Sequence, residues 1–212
     1  PRHAPWWIDR VVTASEARHE VPWEGFVLVV SRPAGSSYLP TERKVAALRA
    51  LHDVACRELG YRLVVKPHPK EGDDGTVARA LPAAEEGRTW LRSGAHPSHL
   101  GRRAAVAVAF HSGVVVDLVV LGTPVIELID VRGLPRHDGP DAVRDARGRP
   151  MFSAFRRGGM VLPADDAVDL RAQLERVRGD RAGVVAAQRA AVAAAFPARP
   201  DVDAVLADLS AG

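Results

Sequence analysis

The chain has little cysteine and no excess of charge of one sign, and each shortage excludes a class of protein. Cys56 is the only cysteine among 212 residues, so no disulfide can form within the chain, which is typical of a cytosolic protein. The formal net charge is +3, too small and too dispersed to indicate nucleic-acid binding. The longest apolar run, 114–121, is interrupted by Asp117 and falls short of the roughly 20 residues of a membrane-spanning helix.

What is present is ordinary for one globular domain. Apolar residues make up 47% and charged residues 26% of a chain long enough to bury a sizeable core. The chain begins at Pro1 without a methionine, which is typical of a processed or excised piece of a longer protein. Residues 1–25 carry Trp6, Trp7 and Trp23, and we expect this segment to be a lead-in that packs on other structure.

Short apolar runs alternate with amphipathic stretches from residue 26 onward, which predicts strands alternating with helices. Such alternation is typical of a parallel sheet with helices on both faces, so residues 26–212 should form a doubly wound, Rossmann-like α/β domain with helices at its C-terminal end. The predicted strands are 26–31, 61–66, 89–91, 104–110, 124–129 and 159–162. The predicted helices are 41–59, 76–81, one from Ser112 to near Gly122, 165–178, 181–195 and 201–209, with a charged loop over 131–150.

The segment Lys66-Pro67-His68-Pro69 directly follows the apolar run 61–65, which reads as a buried parallel strand. Ligands of open α/β sheets bind at the carboxyl ends of the strands. The two prolines fix φ and remove two backbone donors, so His68 should be presented in a narrow range of directions. A stiff loop with Lys66 and His68 is suited to an anionic ligand such as a phosphate, although His68 between prolines is also compatible with plain turn geometry.

A second strand exit carries His111, Ser112 and Gly113, where the next helix is predicted to begin. Ser112 is a good N-cap residue, and the amino end of a helix binds anions through its free N–H groups. Gly113 would let a ligand approach the backbone closely. Asp117, further along the same helix, could accept hydrogen bonds from a ribose diol. Taken alone, each residue also has a simpler interpretation: Ser112 as a plain helix cap, and Asp117 as a solvated carboxylate on the helix surface.

Two further segments carry residues that could contact a ligand. The loop after the first strand, residues 31–37, holds Gly35, Ser36 and Ser37, which suit a phosphate or sugar but are also ordinary loop composition. His96-Pro97 follows only a weak strand, so a loop is the favoured interpretation there. Because the exits at His68 and Ser112 should flank one crevice, together they predict a nucleotide site.

The Lys-Pro-His-Pro exit and the strand–His-Ser-Gly–helix–Asp–Leu-Gly-Thr-Pro-Val-Ile segment together resemble the C-terminal, nucleotide-binding half of GT-B-fold glycosyltransferases of the capsule and surface-polysaccharide type. That group includes sialyl-, polysialyl- and Kdo transferases, which use CMP-sugars, and CDP-glycerol glycerophosphotransferases. The resemblance covers roughly residues 26–209. Its specific motifs occupy about thirty of them.

The resemblance implies that His68 and Ser112 hold the phosphate of the nucleotide-sugar, and that Asp117 lies at the ribose. His68 would act there as a hydrogen-bond donor or as a general acid. It implies a metal-independent transferase that needs no cofactor, with a nucleotide-sugar as its donor substrate and a saccharide or lipid-linked molecule as its acceptor. The expected location is the cytoplasm, or the inner face of the membrane. In the transferases the Ser motif is a run of hydroxyl residues, whereas this chain has His111-Ser112-Gly113. The Ser-Gly pair is also similar to that of UDP-GlcNAc 2-epimerases. The chain has room for one of the two domains of a GT-B enzyme. The acceptor-binding site and the catalytic base are therefore expected on another domain or subunit. An epimerase-like enzyme and a non-catalytic binding module remain alternatives.

Overall fold

The computed structural model describes residues 21–35, 39–72, 75–130 and 154–196. Within these residues six strands alternate with helices. The strands are β1 Phe26–Val30, β2 Leu63–Lys66, β3 Trp90–Arg92, β4 Ala104–Ala109, β5 Val125–Leu128 and β6 Leu162–Ala164. The helices are α1 Thr41–His52, α2 Thr76–Ala80, α3 Pro97–Arg103, α4 Val114–Leu121, α5 Ala154–Arg157, α6 Ala167–Gly179 and α7 Arg181–Ala195.

All six strands run parallel in one sheet, in the order β3-β2-β1-β4-β5-β6. The chain works outward from β1 to one edge and then returns to build the other half from β4. This order is that of a doubly wound Rossmann-like sheet, and it places a topological switch point between β1 and β4. The predicted fold class is confirmed, including the helices α6 and α7 that follow the last strand.

The centre of the sheet is buried on both faces, which explains its uninterrupted apolar strands. Along β1, Val27 and Val29 pack on one face in a core cluster shared with α1 and α6. Phe26, Leu28 and Val30 point the other way and pack in a second cluster with α3 and α4. Because successive side chains of a strand alternate between faces, only a fully apolar strand can serve two cores at once.

Several predicted elements differ from those observed. The segment at His96-Pro97, expected to be a loop, opens helix α3, with proline at a first-turn position where its missing N–H costs nothing. The predicted helix 41–59 is α1 followed by a π-helical segment, Asp53–Glu58. The last strand lies at Leu162–Ala164 rather than 159–162.

Part of the expected lead-in lies within the described residues and is packed. Val21 and Trp23 are buried against the α3–α4 side of the core. Arg103, at the end of α3, donates hydrogen bonds to the carbonyl oxygens of Val21 and Trp23 at 2.7 and 3.0 Å. The predictions that fall on Trp6, Trp7, Ser36, Ser37, the loop 131–150 and the helix 201–209 lie outside the described residues.

A glutamine of α7 joins that helix to the sheet. Gln188 is buried, its Oε1 accepts from the Val125 N–H at 2.9 Å, and its Nε2 donates to the Val125 carbonyl at 2.7 Å. The side-chain amide therefore takes the place of a neighbouring strand at the start of β5, before β6 begins to pair at Ile126.

We expect Gln188→Ala to lower the free energy of unfolding by about 2 kcal/mol, because it leaves a buried N–H and a buried carbonyl without partners. Urea unfolding followed by circular dichroism would measure this change. Gln173→Ala on α6 is the matched control, since the Gln173 Oε1 accepts no hydrogen bond within the described residues. Equal losses in the two variants would mean that the paired amide adds nothing to stability.

Candidate functional site

The candidate site lies where β1, β2 and β4 end, at the switch point. Adjacent parallel strands deliver their exits to one edge of the sheet, and at a switch point the chains leaving β1 and β4 turn to opposite faces, which opens a crevice. The residues leaving β1 and β4 are joined there directly, because Arg32 donates a hydrogen bond to the carbonyl oxygen of His111.

A cavity of about 570 Å³ occupies this crevice. Among the described residues, its lining contains the cations Arg32 and Lys70, and no carboxylate side chain. Such a lining is suited to an anion, because an unpaired carboxylate would repel it. The lining residues are Arg32, Pro33, Ala34, Gly35, His68, Lys70, Ser112 and Gly113.

The imidazole of His68 is oriented by its own loop. The backbone N–H of Lys70 donates to His68 Nδ1 at 3.0 Å. When Nδ1 accepts a hydrogen bond, the neutral imidazole carries its proton on Nε2, which makes Nε2 the donor. His68 is therefore set up to donate a hydrogen bond to a ligand in the cavity that it lines.

The same loop is anchored by Glu71, which the sequence analysis did not single out. Glu71 Oε1 accepts from Ser31 Oγ at 2.9 Å and from the ammonium group of Lys44 on α1, and Oε2 accepts from the His68 backbone N–H at 2.9 Å. The Glu71 N–H returns a hydrogen bond of 2.9 Å to the His68 carbonyl. The side chains of Lys44 and Glu71 are 0% and 2% exposed, so this ion pair is buried. It fixes the His68 turn to β1 and α1.

Helix α4 begins one residue later than the sequence indicates. Gly113 occupies the N-cap position, and no side chain caps the helix, so the prediction that Ser112 is the N-cap was wrong. The Ser112 carbonyl instead accepts from the Val115 N–H at 3.1 Å. Ser112 and Gly113 both line the cavity, at the amino end of α4.

Two predicted residues lie outside that lining. Lys66 Nζ donates to the carbonyl oxygen of Pro67 at 3.0 Å, and burial lowers the pKa of Lys66, opposed by the charge of Glu71. Asp117 is only 5% exposed, so it is not a solvated helix carboxylate. The charges of Lys66 and Asp117 both affect the pKa of His96, a residue that the sequence predicts to lie in a loop.

His96 caps α3, and its Nδ1 accepts from the Ser98 N–H at 3.2 Å. Burial lowers the pKa of His96. The negative charge of Asp117 opposes this shift, and the positive charge of Lys66 reinforces it. A second imidazole thus stands with Asp117 and Lys66 near the exits of β2 and β3.

The structure therefore brings together Gly35, His68, Ser112 and Gly113 of the predicted residues. Arg32, Lys70 and Glu71 are the residues that sequence reasoning missed. A signal existed for Arg32 and Lys70, since each is a cation within a few residues of a strand end. Cys56 is an unsuitable nucleophile, because burial raises the pKa of its thiol to about 12.

No family model matches the chain, and no curated protein matches it. Solved structures do match. The Methanocaldococcus jannaschii UDP-GlcNAc 2-epimerase, in complex with UDP-GlcNAc and UDP, is 10% identical with a TM-score of 0.52, over 97% of this chain and 48% of that one. The wall teichoic acid polymerase TagF is 15% identical with a TM-score of 0.51, over 88% and 41%. TarM is 13% identical with a TM-score of 0.51, over 88% and 34%.

These similarities show the fold, a Rossmann-like α/β domain of the kind that forms one half of the GT-B fold. The chain spans less than half the length of each of the three matched structures. Among its described helices, none has the length and apolar character needed to cross a membrane. Across residues 21–35, 39–72, 75–130 and 154–196, no three His, Cys, Asp or Glu side chains are grouped to hold a metal ion.

We expect Glu71→Gln to lower the free energy of unfolding by about 3 kcal/mol, because it leaves the Lys44 ammonium group buried without its charge partner. Chemical denaturation would measure the loss. Glu42→Gln is the matched control, since Glu42 pairs with Arg79 on the surface at 2.7 Å and such pairs contribute under about 1 kcal/mol. A Glu71→Gln variant as stable as Glu42→Gln would contradict the buried anchor.

We also expect His96 to make stability depend on pH. The pKa of His96 is lower in the folded than in the unfolded chain, where it is near 6.5, so the unfolded state binds more protons as the pH falls through that value. Stability should therefore drop below about pH 6.5, and His96→Asn should reduce the drop while keeping an N-cap acceptor. Urea unfolding at pH 7.5 and 5.5 measures both. An unchanged drop in the variant would assign it to other groups.

Proposed function

We propose that this chain is the donor-nucleotide-binding domain of a GT-B-type transferase that acts on a nucleotide-activated sugar. The cavity at the switch point carries the proposal, because it combines two cations, an oriented imidazole and a helix amino end, and its lining residues that the structure describes include no carboxylate. Oxygens of a nucleotide's phosphate are the ligands that such a set of donors suits best.

For the donor we propose a CMP-sugar, such as CMP-Kdo or CMP-sialate, or CDP-glycerol. This choice rests on the His68 and Ser112 motifs. A second candidate is an enzyme similar to UDP-GlcNAc 2-epimerases, which the fold similarity to the Methanocaldococcus jannaschii epimerase favours. The two candidates share the phosphate site and differ in the base and in the reaction.

Glycosyl transfer leaves negative charge on the departing phosphate, and catalysis requires donors that stabilise this charge as it develops. In the proposed mechanism His68 Nε2–H donates a hydrogen bond to a phosphate oxygen. To act as a general acid, His68 would start as the imidazolium, in which Nδ1 is protonated and no longer accepts from the Lys70 N–H. The hydroxyl of Ser112 and the N–H groups at the start of α4 contact the same group. Lys66 adds positive charge nearby, and no metal or cofactor is needed.

Asp117 is proposed to hold the ribose. The partly described loop at Gly35 is proposed to approach the phosphate or sugar, together with Ser36 and Ser37. The described part of the cavity lining offers no carboxylate that could serve as the catalytic base. We therefore propose that the base, and the site for a saccharide or lipid-linked acceptor, belong to a second domain or a partner subunit at the cytoplasmic face.

Calorimetric titration with CMP, CDP, UDP and UDP-GlcNAc tests the proposal. We expect cytidine nucleotides to bind, and His68→Ala and Ser112→Ala each to weaken binding about 10- to 100-fold, the range for hydrogen bonds to charged groups. Lys70→Met should also weaken binding. Arg57→Met, which removes an exposed cation from the π-helical segment, is the charge-matched control and should not.

Unchanged affinity in the His68→Ala and Ser112→Ala variants would refute the site. Preference for UDP and UDP-GlcNAc would instead support the epimerase-like candidate. Binding of nucleotide without turnover, even with an acceptor-binding domain supplied, would make the chain a binding module. Asp117→Asn separates two roles for that carboxylate, since a loss of stability without a loss of affinity would exclude the ribose contact.

A further inference from the structure

The backbone at His111 is held in an unusual conformation next to the cavity. Its φ is +53°, and it is the one residue other than glycine with a positive φ among the described residues. The left-handed conformation costs a residue with a Cβ roughly 1–2 kcal/mol. His111 immediately precedes Ser112 and Gly113, so its conformation sets the direction in which those two residues reach the cavity.

Three contacts hold His111, one at its backbone and two at its side chain. Arg32, which leaves β1, donates to the His111 carbonyl oxygen. The imidazole Nδ1 lies 3.2 Å from Glu127 Oε1 on β5, and the ring packs on Phe155 with 5.6 Å between ring centroids. The backbone is thus fixed by β1, and the side chain by β5 and α5.

Glu127 is itself rigidly placed. Its side chain is 0% exposed, and its Oε2 accepts from Arg156 Nε at 2.8 Å. Arg156 also donates to Asp165 Oδ1 at 2.6 Å and to the carbonyl oxygens of Glu127, Ile129 and Ala164 at 2.9 to 3.1 Å. The carboxylate that contacts His111 is therefore part of a bonded network at the ends of β5 and β6.

We propose that Glu127 is a positioning residue that, through His111, holds the turn presenting Ser112 and Gly113 to the ligand phosphate. The inference rests on the proposed function, and it adds that Glu127, which is not among the lining residues of the cavity, affects the affinity for the ligand. Glu127 holds the His111 side chain, Arg32 holds its carbonyl, and the left-handed turn between them is kept ready in the free protein.

The first test varies residue 111. His111→Asn and His111→Ala both remove the imidazole, but asparagine tolerates the left-handed conformation far better than alanine. We expect nucleotide affinity, measured with CMP and UDP, to fall about tenfold in His111→Ala and to be largely recovered in His111→Asn. An imidazole that contacted the ligand directly would be lost equally in both variants, so equal losses would overturn the inference.

The second test is a double-mutant cycle on binding. We expect Glu127→Gln to weaken nucleotide binding about fivefold in the wild-type background and less than twofold in the His111→Asn background, because Glu127 acts through the imidazole. Asp165→Asn is the control, since it removes a carboxylate from Arg156 without touching His111. It should change the unfolding midpoint and leave affinity unchanged.

The outcomes separate the two proposals. If the wild-type protein binds none of the nucleotides, the proposed function is wrong and this inference falls with it. If the wild-type protein binds and Glu127→Gln weakens binding equally in both backgrounds, or Asp165→Asn weakens binding as much as Glu127→Gln, only the positioning role is wrong. A purely structural Glu127 would lower the unfolding midpoint without the dependence on residue 111.

Discussion

A buried carboxylate, that of Glu71, ties together the elements that form the candidate site. It joins the exit of β1 through Ser31, helix α1 through Lys44, and the exit of β2 through the His68 backbone. Placing Lys44 and Glu71 out of contact with water is costly, and the cost is offset only when every donor and acceptor finds its partner. The ion pair and its hydrogen bonds therefore anchor the His68 turn to the elements beneath it.

A second buried carboxylate has the corresponding place on the other side of the cavity. Glu127 joins the exits of β4, β5 and β6 through His111 and Arg156. The two acids are paired with cations behind the cavity wall, whereas the wall itself presents Arg32, Lys70 and His68. This division places the two paired carboxylates inside the scaffold and the cations Arg32 and Lys70 at the cavity, within a chain of modest net charge.

The fold could be predicted because its signals are local. The run Phe26–Val30 is apolar at every position, and a strand buried on both faces must be so. Helix α3 escaped prediction because Pro97, His99 and Gly101 give it a weak helical signal, although proline in the first turn was a usable clue. The start of α4 was misplaced because neighbouring residues do not signal the left-handed conformation of His111, whose carbonyl oxygen and imidazole contact Arg32 and Glu127.

The two fixed turns also bear on the thermodynamics of ligand capture. A flexible loop that closes over a ligand loses conformational entropy on binding, and each immobilised side chain subtracts about 0.5–1.5 kcal/mol from the affinity. Here the prolines beside His68 and the anchor at Glu71 have already removed that freedom in the free protein. Folding, rather than ligand capture, therefore bears the entropic cost of order at the β2 exit, and under the proposed function a nucleotide would gain affinity from few contacts.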